Sequence, residues 1–419
     1  MDIELQRELD IWENLTLMLQ TEEVFIALMK KVLVICIMAI VACCSCTQEN
    51  QTDAVFEDAQ SEYATSNGSL CKEGTVYYAA ANHRLLYYDE ATKTSGLLCG
   101  RADCSHDDMN CDAYIDSSGA GIQIYQEKIY WIENLSFLCR MDLDGRNHEQ
   151  VQLLTRPDNH PLMVGLNPRF SIYGDHLSVS VVKDTVTAGK AENEVSVYQY
   201  NMADLDAEAR EVFRKNYPGG QECNYHCRFY QDMIYIMVDY GGVGNDGQFE
   251  GELYQYDLKK ESLEQLWAGS LHGHVFNVVV NEEGVHVLAN KGIYEGETRR
   301  TSSRVYTYGV EEQNMQISEV VDIPQEEGFL GTGFENGYFM FLPGVLRGSP
   351  YRIYDWDGNL LREGKVSGNF LYCIGCDDTG WLFKQDDSNY PIWSYKVIRI
   401  PFDPEEEEEI LIRYSVSMI

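Results

Sequence analysis

Three cysteines and a histidine stand close together in Leu98–Tyr114, LCGRADCSHDDMNCDAY, with the spacing C-x4-C-x-H-x4-C: Cys99, Cys104, His106 and Cys111. Thiolate sulfur and imidazole nitrogen are the donors that tetrahedral Zn²⁺ takes, and four protein ligands make a closed, structural centre rather than a catalytic one. One zinc ion held this way would fold the loop 99–119, which has little apolar sequence of its own. The spacing leaves a second chemistry open, a disulfide between two of the three cysteines, which an exported setting permits. Cys223-Asn224-Tyr225-His226-Cys227 is a further metal or disulfide candidate, and Cys373 and Cys376 form a C-x2-C. A redox C-x2-C opens a helix; this one lies in strand-and-turn sequence.

Other residues point to binding. Arg299, Arg300 and Arg347 are loop cations in a strongly acidic chain and suit an anionic ligand such as a uronic acid. Tyr294 and Trp393 could stack on a sugar ring, and His272 and His274 form an HGH pair that could coordinate a metal. Catalytic carboxylate pairs cannot be picked out by spacing, because Asp and Glu number 67. Gly242, Gly244 and Gly247 match GxGxxG, but no helix follows, so they carry no dinucleotide reading. Asp142, Asp144 and Asn147, like Asp355, Asp357 and Asn359, begin as a calcium loop does but lack its later acidic ligand, and so read as turns.

The elements that must position these residues are short strands. Ile122–Leu154 reads as strand, tight turn, strand, loop, strand ending in MDLDG, and a short closing strand. The same phrase recurs seven times between Tyr63 and Tyr414, at intervals of about 50 residues. Four strands per repeat, β-branched and aromatic after each turn, predict an all-β protein: a β-propeller of seven four-stranded blades. Only Ala203–Arg214, ADLDAEAREVFR, suggests a helical turn. Turns between first and second strands are short. The long segments are Lys183–Glu194, Asp239–Gly251, Asn290–Ser303, Pro343–Pro350 and Lys384–Trp393 within repeats, and Cys99–Gly119, Thr155–Arg169, Asn216–Cys223 and Ala268–His274 between them. Strand alternation puts both sets on one face, so one face is smooth and the other built up, and loops on a rigid scaffold are where binding sits.

The N-terminal part is different. Met29, Lys30 and Lys31 precede an apolar run from Val32 to Val41, too short to span a membrane, and then Ala42-Cys43: the layout of a secretory signal. Ile40-Val41-Ala42-Cys43 resembles the lipobox of bacterial lipoproteins, which implies lipidation of Cys43 and anchoring to the cell membrane on its extracytoplasmic side. The expected organisation is 1–28 as a misassigned extension, 29–42 as signal peptide, 43–60 as a lipidated cysteine and flexible tether, and 61–419 as the propeller. The turns Met141–Gly145 and Tyr354–Gly358 resemble those of TolB-like propellers, over roughly residues 63–414. The cysteine-rich stretch beside a lipobox is similar to uncharacterised exported lipoproteins of Gram-positive bacteria. These resemblances imply a fold and a location but no activity. The formal net charge of −35 excludes nucleic acid as a partner, because phosphate binding needs a basic face. The expectation is a lipid-anchored, monomeric binding module with a structural zinc, holding a protein, peptide or glycan through the loop-rich face. The alternative is a glycan-processing lyase or hydrolase with its active site in the central pocket.

Overall fold

A strand rich in Val, Ile and Tyr needs both neighbours in its sheet and cover on both faces. A four-stranded sheet that is apolar on both sides finds that cover only by stacking on copies of itself in a ring. The computed structural model shows this solution. It describes residues 70–81, 83–106, 109–115, 121–134, 136–162, 169–187, 190–219, 222–241, 249–295, 298–309, 314–318, 329–334, 337–341, 350–365, 370–376, 379–386 and 392–417. These belong to a compact unit spanning Gln60–Ile419; residues 1–59, with Cys43 and the expected signal segment, lie outside the described residues.

Seven antiparallel sheets follow one another, each a four-stranded meander built from contiguous sequence. Blade 1 holds β1 (Leu70–Glu73), β2 (Val76–Ala81), β3 (Arg84–Asp89) and β4 (Thr94–Leu97). Blade 2 holds β5 (Gln123–Tyr125), β6 (Lys128–Glu133), β7 (Phe137–Asp142) and β8 (Glu149–Leu153). Blade 3 holds β9 (Arg169–Tyr173), β10 (His176–Thr187), β11 (Lys190–Asn201) and β12 (Arg210–Pro218). Blade 4 holds β13 (Glu222–Tyr230), β14 (Met233–Gly241), β15 (Phe249–Asp257) and β16 (Ser262–Leu271). Blade 5 holds β17 (His274–Val280), β18 (Val285–Glu295), β19 (Thr298–Gly309) and β20 (Asn314–Ser318). Blade 6 holds β21 (Phe329–Phe334), β22 (Gly337–Phe341), β23 (Pro350–Tyr354) and β24 (Leu360–Lys365). Blade 7 holds β25 (Phe370–Cys376), β26 (Gly380–Asp386), β27 (Ile392–Pro401) and β28 (Glu409–Ser417). The first strands of consecutive blades lie beside one another from blade 1 to blade 7, so they form the inner wall.

The core is divided among the interfaces. Each of seven apolar clusters is shared by two adjacent blades. Between blades 1 and 2 it contains Tyr78, Leu85, Ile129, Trp131 and Met141. The last cluster joins Tyr77, Ala79, Leu86 and Tyr88 of blade 1 to Leu382, Val397, Leu411 and Ile412 of blade 7, and so closes the ring. Among the described residues no strand crosses this seam. Arg399 of β27 reaches over it instead, donating to Tyr77 Oη at 2.7 Å and to Glu90 at 2.6 Å, and to Glu409 of its own blade at 2.9 Å.

Two expectations change in detail. Lys183–Glu194 and Asn290–Ser303 are not loops but continuations of the blade ladder. β10 and β11 stay paired out to Thr187↔Lys190, and β18 and β19 out to Glu295↔Thr298. Ala203–Arg214 makes no helix; turns lead directly into β12 at Arg210. Its Ala and Glu content favours helix only weakly, and ladder pairing to β11 overrides that preference. The Asp142 and Asp355 segments are turns closed on themselves. Asn147 donates to Asp142 Oδ2 at 2.6 Å, and Asn359 to Asp355 Oδ2 at 2.8 Å.

Candidate metal centre

The segment from Leu98 to Ile115 leaves blade 1 at the end of β4 and is pinned at both ends. At its start, Leu98 N–H donates to Leu85 O at 2.9 Å, and Gly100 N–H to Gly145 O at 3.3 Å. Gly145 ends the MDLDG turn of blade 2 with φ +80, and a Cβ there would lie 2.7 Å from Leu98 O. Only glycine therefore lets the turn lie against the start of the loop. At its end, Leu85 N–H donates to Ala113 O at 2.8 Å and Ile115 N–H to His83 O at 3.1 Å, while Arg84 covers the Tyr114 ring at 4.8 Å. Ala113 and Ile115 are fully buried.

Between these anchors the chain curls on itself. Cys104 N–H reaches Arg101 O at 3.4 Å, Tyr114 N–H reaches Cys111 O at 2.8 Å, and the Arg101 guanidinium donates to Asn110 O at 2.6 Å. His106 takes a left-handed backbone conformation, φ 62, which turns the chain within the curl. The result brings Cys99, Cys104, His106 and Cys111 together, with their donor atoms all within 4.8 Å of one another and His106 Nδ1 3.3 Å from Cys111 Sγ. Four donors about 2.0–2.3 Å from a zinc ion lie roughly 3.3–3.8 Å apart, so a slight contraction of this set makes a tetrahedron. The thiols influence one another. Burial and the neighbouring Cys104 and Cys99 thiols push Cys111 up to about 12. Burial also acts against Cys99, but hydrogen bonds from the backbone at Arg101 and Asp112 and from the other two thiols bring it below the ordinary thiol range. A divalent cation removes this competition by stabilising all three thiolates at once.

Cys71, Cys99, Cys104, Cys111, Cys139, Cys223 and Cys227 are free thiols. Cys223 and Cys227 lie four residues apart on the extended strand β13, roughly 13 Å, so they can share neither a metal nor a disulfide. Cys139 is fully buried beside Trp131 and Met141. Cys373 and Cys376 lie on β25 across a bulge, not on a helix.

Those expected ligand-binding residues that are described lie in blade 5, in the connection before it, and in blade 7. Tyr294 opposes Arg299 and Ile293 opposes Arg300 near the end of the β18–β19 hairpin. Trp393 lies in blade 7 opposite Val416, and Arg347 lies outside the described residues. His272 and His274 flank the start of blade 5. His272 sits in the connection before β17, its N–H donating to Tyr306 Oη at 2.7 Å. His274 bridges blades 4 and 5: its Nδ1 is 3.0 Å from Asp239 Oδ2, its Nε2 contacts Glu222, and its ring meets the Phe249 edge at a centroid distance of 4.1 Å. Asp239 is fully buried, and burial pushes its carboxyl above the usual range against the hydrogen bonds from His274 and Asn224.

No family model matches the chain, and no curated protein matches it. Solved structures do. Pyrococcus horikoshii acylaminoacyl peptidase is 10% identical with a TM-score of 0.47, over 82% of this chain and 52% of that one. The β-propeller domain of the Trilobed protease from Pyrococcus furiosus is 10% identical with a TM-score of 0.45, over 82% and 95%. BamB from Moraxella catarrhalis is 12% identical with a TM-score of 0.39, over 77% and 80%. The chain thus spans about half the length of the acylaminoacyl peptidase.

Proposed function

We propose that this chain is an exported, lipid-anchored binding protein, attached through Cys43, that holds a protein, peptide or glycan on the built-up face of its propeller. The observation that carries this reading is the uneven height of that face. β10 and β11 each have 12 residues and β18 and β19 have 11 and 12, whereas β6 and β7 of blade 2 have six each. The extra residues raise the hairpins of blades 3 and 5 roughly 15–20 Å along the strand direction. A long paired hairpin is a rigid projection, unlike an open loop, and rigid projections lose little entropy when a ligand seats against them. In this reading zinc at Cys99, Cys104, His106 and Cys111 staples the blade 1–2 connection and takes no part in chemistry.

A glycan and peptide array probed with the full-length protein tests the reading. A variant in which 185–192 is replaced by a two-residue Asn-Gly turn should keep its unfolding temperature and lose the array signal. Equal binding by the trimmed and intact proteins would remove the hairpins from the binding site.

The Asp239–His274–Glu222 arrangement supports a second reading, a glycan-processing enzyme, since a histidine held between two carboxylates is a general acid–base pattern. Turnover of an acidic polysaccharide that disappears in His274→Gln would establish it. Turnover unchanged in that variant would assign the histidine to joining blades 4 and 5.

A further inference from the structure

The inner strands of blades 3 and 4 face each other across an under-filled seam. Strand alternation turns Ser171 and Tyr173 of β9 to one side, and the register sets Ser178 of β10 opposite Ser171 and Ser180 opposite Arg169. Cys227 and Phe229 of β13, with Ile234 of β14 paired to Phe229, make the facing wall. Serines in place of larger side chains leave a cavity of about 60 Å³ between the two sheets. The arginines beside it are engaged elsewhere. Arg169 donates to Tyr225 O at 2.7 Å, lies 3.2 Å from His226 Nδ1 and covers the Tyr225 ring at 5.1 Å. Arg228 reaches toward blade 5, where it donates to Val278 O at 2.8 Å and Asn277 Oδ1 at 3.4 Å. The polar groups that the cavity itself offers are therefore hydroxyls.

Two of these serines differ. Ser180 is occupied: its Oγ donates to Arg169 O at 3.4 Å, and it hydrogen-bonds the Cys227 thiol, which burial keeps protonated by pushing it up to about 11. Ser178 is 3% exposed, and its hydroxyl lines the cavity without a hydrogen-bond partner. Buried hydroxyls in native proteins are normally paired, so this one points to a group that enters from outside. A second observation is independent of it. Tyr173, 39% exposed, stacks on Phe229 across the same seam, with ring centroids 5.8 Å apart and planes 17° apart. Phe229 also lines the cavity, and Phe229 and Ser171 are only half-buried, so the cavity opens to solvent beside the aromatic pair.

We propose that this seam binds a neutral sugar, whose ring lies against the Tyr173–Phe229 pair and whose adjacent hydroxyls enter the cavity to meet Ser178. The chemistry agrees: an aromatic face takes the C–H face of a sugar ring, and a few placed hydroxyls fix its orientation. The size agrees as well. A cavity of about 60 Å³ holds roughly four waters, the bulk of a vicinal diol, and leaves the rest of the ring outside on the aromatic pair. This site is separate from the raised hairpins. Tyr173 ends β9 at the short turn into β10, on the smooth face, whereas the tip of the β10–β11 hairpin lies at the far end of β10.

The test is saturation-transfer NMR on the full-length protein, titrated separately with glucose, galactose, mannose and N-acetylglucosamine, with glycerol as a polyol that has no ring to stack. At least one sugar should saturate, and glycerol should not over the same range. Tyr173→Ala should lower the affinity for that sugar about tenfold through the lost ring contact. Ser178→Ala should lower it roughly fivefold, the loss of one neutral hydrogen bond. Removing an unpaired buried hydroxyl should leave the unfolding temperature of the sugar-free protein unchanged or raised, so the second variant reads binding even if the first destabilises the turn. The protein trimmed at 185–192 should bind the sugar as the intact protein does. Saturation by none of the four sugars, equal binding of glycerol, or wild-type affinity in Ser178→Ala would overturn the assignment. Loss of binding in the trimmed protein would overturn it too, by placing the sugar on the built-up face.

Discussion

Blade 1 has two neighbours, and the described chain runs on directly into only one of them. Toward blade 2 it continues through Leu98–Ile115, and that connection gathers four metal donors within 4.8 Å. Toward blade 7 the described residues share no strand, and their contact includes an apolar cluster and the buried Arg399 fork. The difference shows what each kind of joint requires. A connected joint must order a polar linker with little core, which local donors can do. An unconnected joint must hold two sheets together by side chains alone, which takes a large buried cluster and a polar group that fits only when the ring is shut.

The strongest way to break that comparison is at the seam. Arg399→Met should cost about 3 kcal/mol, the low end for opening a buried ion-pair network, because Glu90 retains Lys72 at 3.0 Å and Glu409 retains Lys93 at 3.2 Å. Urea unfolding measures this, and a loss within 1 kcal/mol would show that apolar packing alone closes the ring. Next is the connected joint. Zinc removal by a chelator should cost about 2–3 kcal/mol, as for a ligand present at a hundredfold excess over its Kd, and should expose 99–115 to protease. Metal analysis of the intact protein should find one zinc per chain, and none in Cys104→Ser or Cys111→Ser. Proteolysis unaffected by the chelator would reassign the cluster to free thiols.

A pH dependence sharpens the contrast within blade 2. The His148 imidazole, its Nε2 3.6 Å from Glu133 Oε1, against burial and with the Trp131 N–H donating to the same oxygen, holds Glu133 down to about 2. A depressed carboxyl pKa contributes stability that is fully present above the unfolded value near 4.5 and is lost as the pH falls through about 2. The shift sets a ceiling of about 3 kcal/mol, and Glu133→Gln should therefore cost about 2 kcal/mol at pH 7 and nothing below pH 2, read from urea midpoints. A cost independent of pH would indicate packing rather than charge. The smallest effect concerns the platform under the cysteine loop: Gly145→Ala should cost about 1 kcal/mol through its left-handed φ and the approach to Leu98 O, and should weaken zinc binding with it.

The fold was legible because its signal is local and repeated. Each repeat carries a strand, a two- or three-residue turn and a second strand, and Gln126-Glu127, both with positive φ, shows that such turns form even without glycine. The heights of the hairpins were not legible. Lys183–Glu194 is polar with no two-residue alternation, so nothing in its composition separates a loop from a ladder held by backbone hydrogen bonds. The same divide applies to sites. The four metal donors fall within 13 residues of sequence, and their spacing announces them. Asp239, Glu222 and His274 meet only because blade 4 stacks on blade 5.

Among the described residues every sheet is written in one contiguous stretch of sequence, and blades 1 and 7 meet without exchanging a strand. Genetic recombination can therefore cut between blades without dividing any sheet. A duplicated or deleted repeat would leave six or eight intact units, provided the faces that meet at the new junction fit. Blade number in this architecture is then variable by whole modules, and Arg399 with Glu90 and Glu409 ties the last unit to the first whatever the number between them.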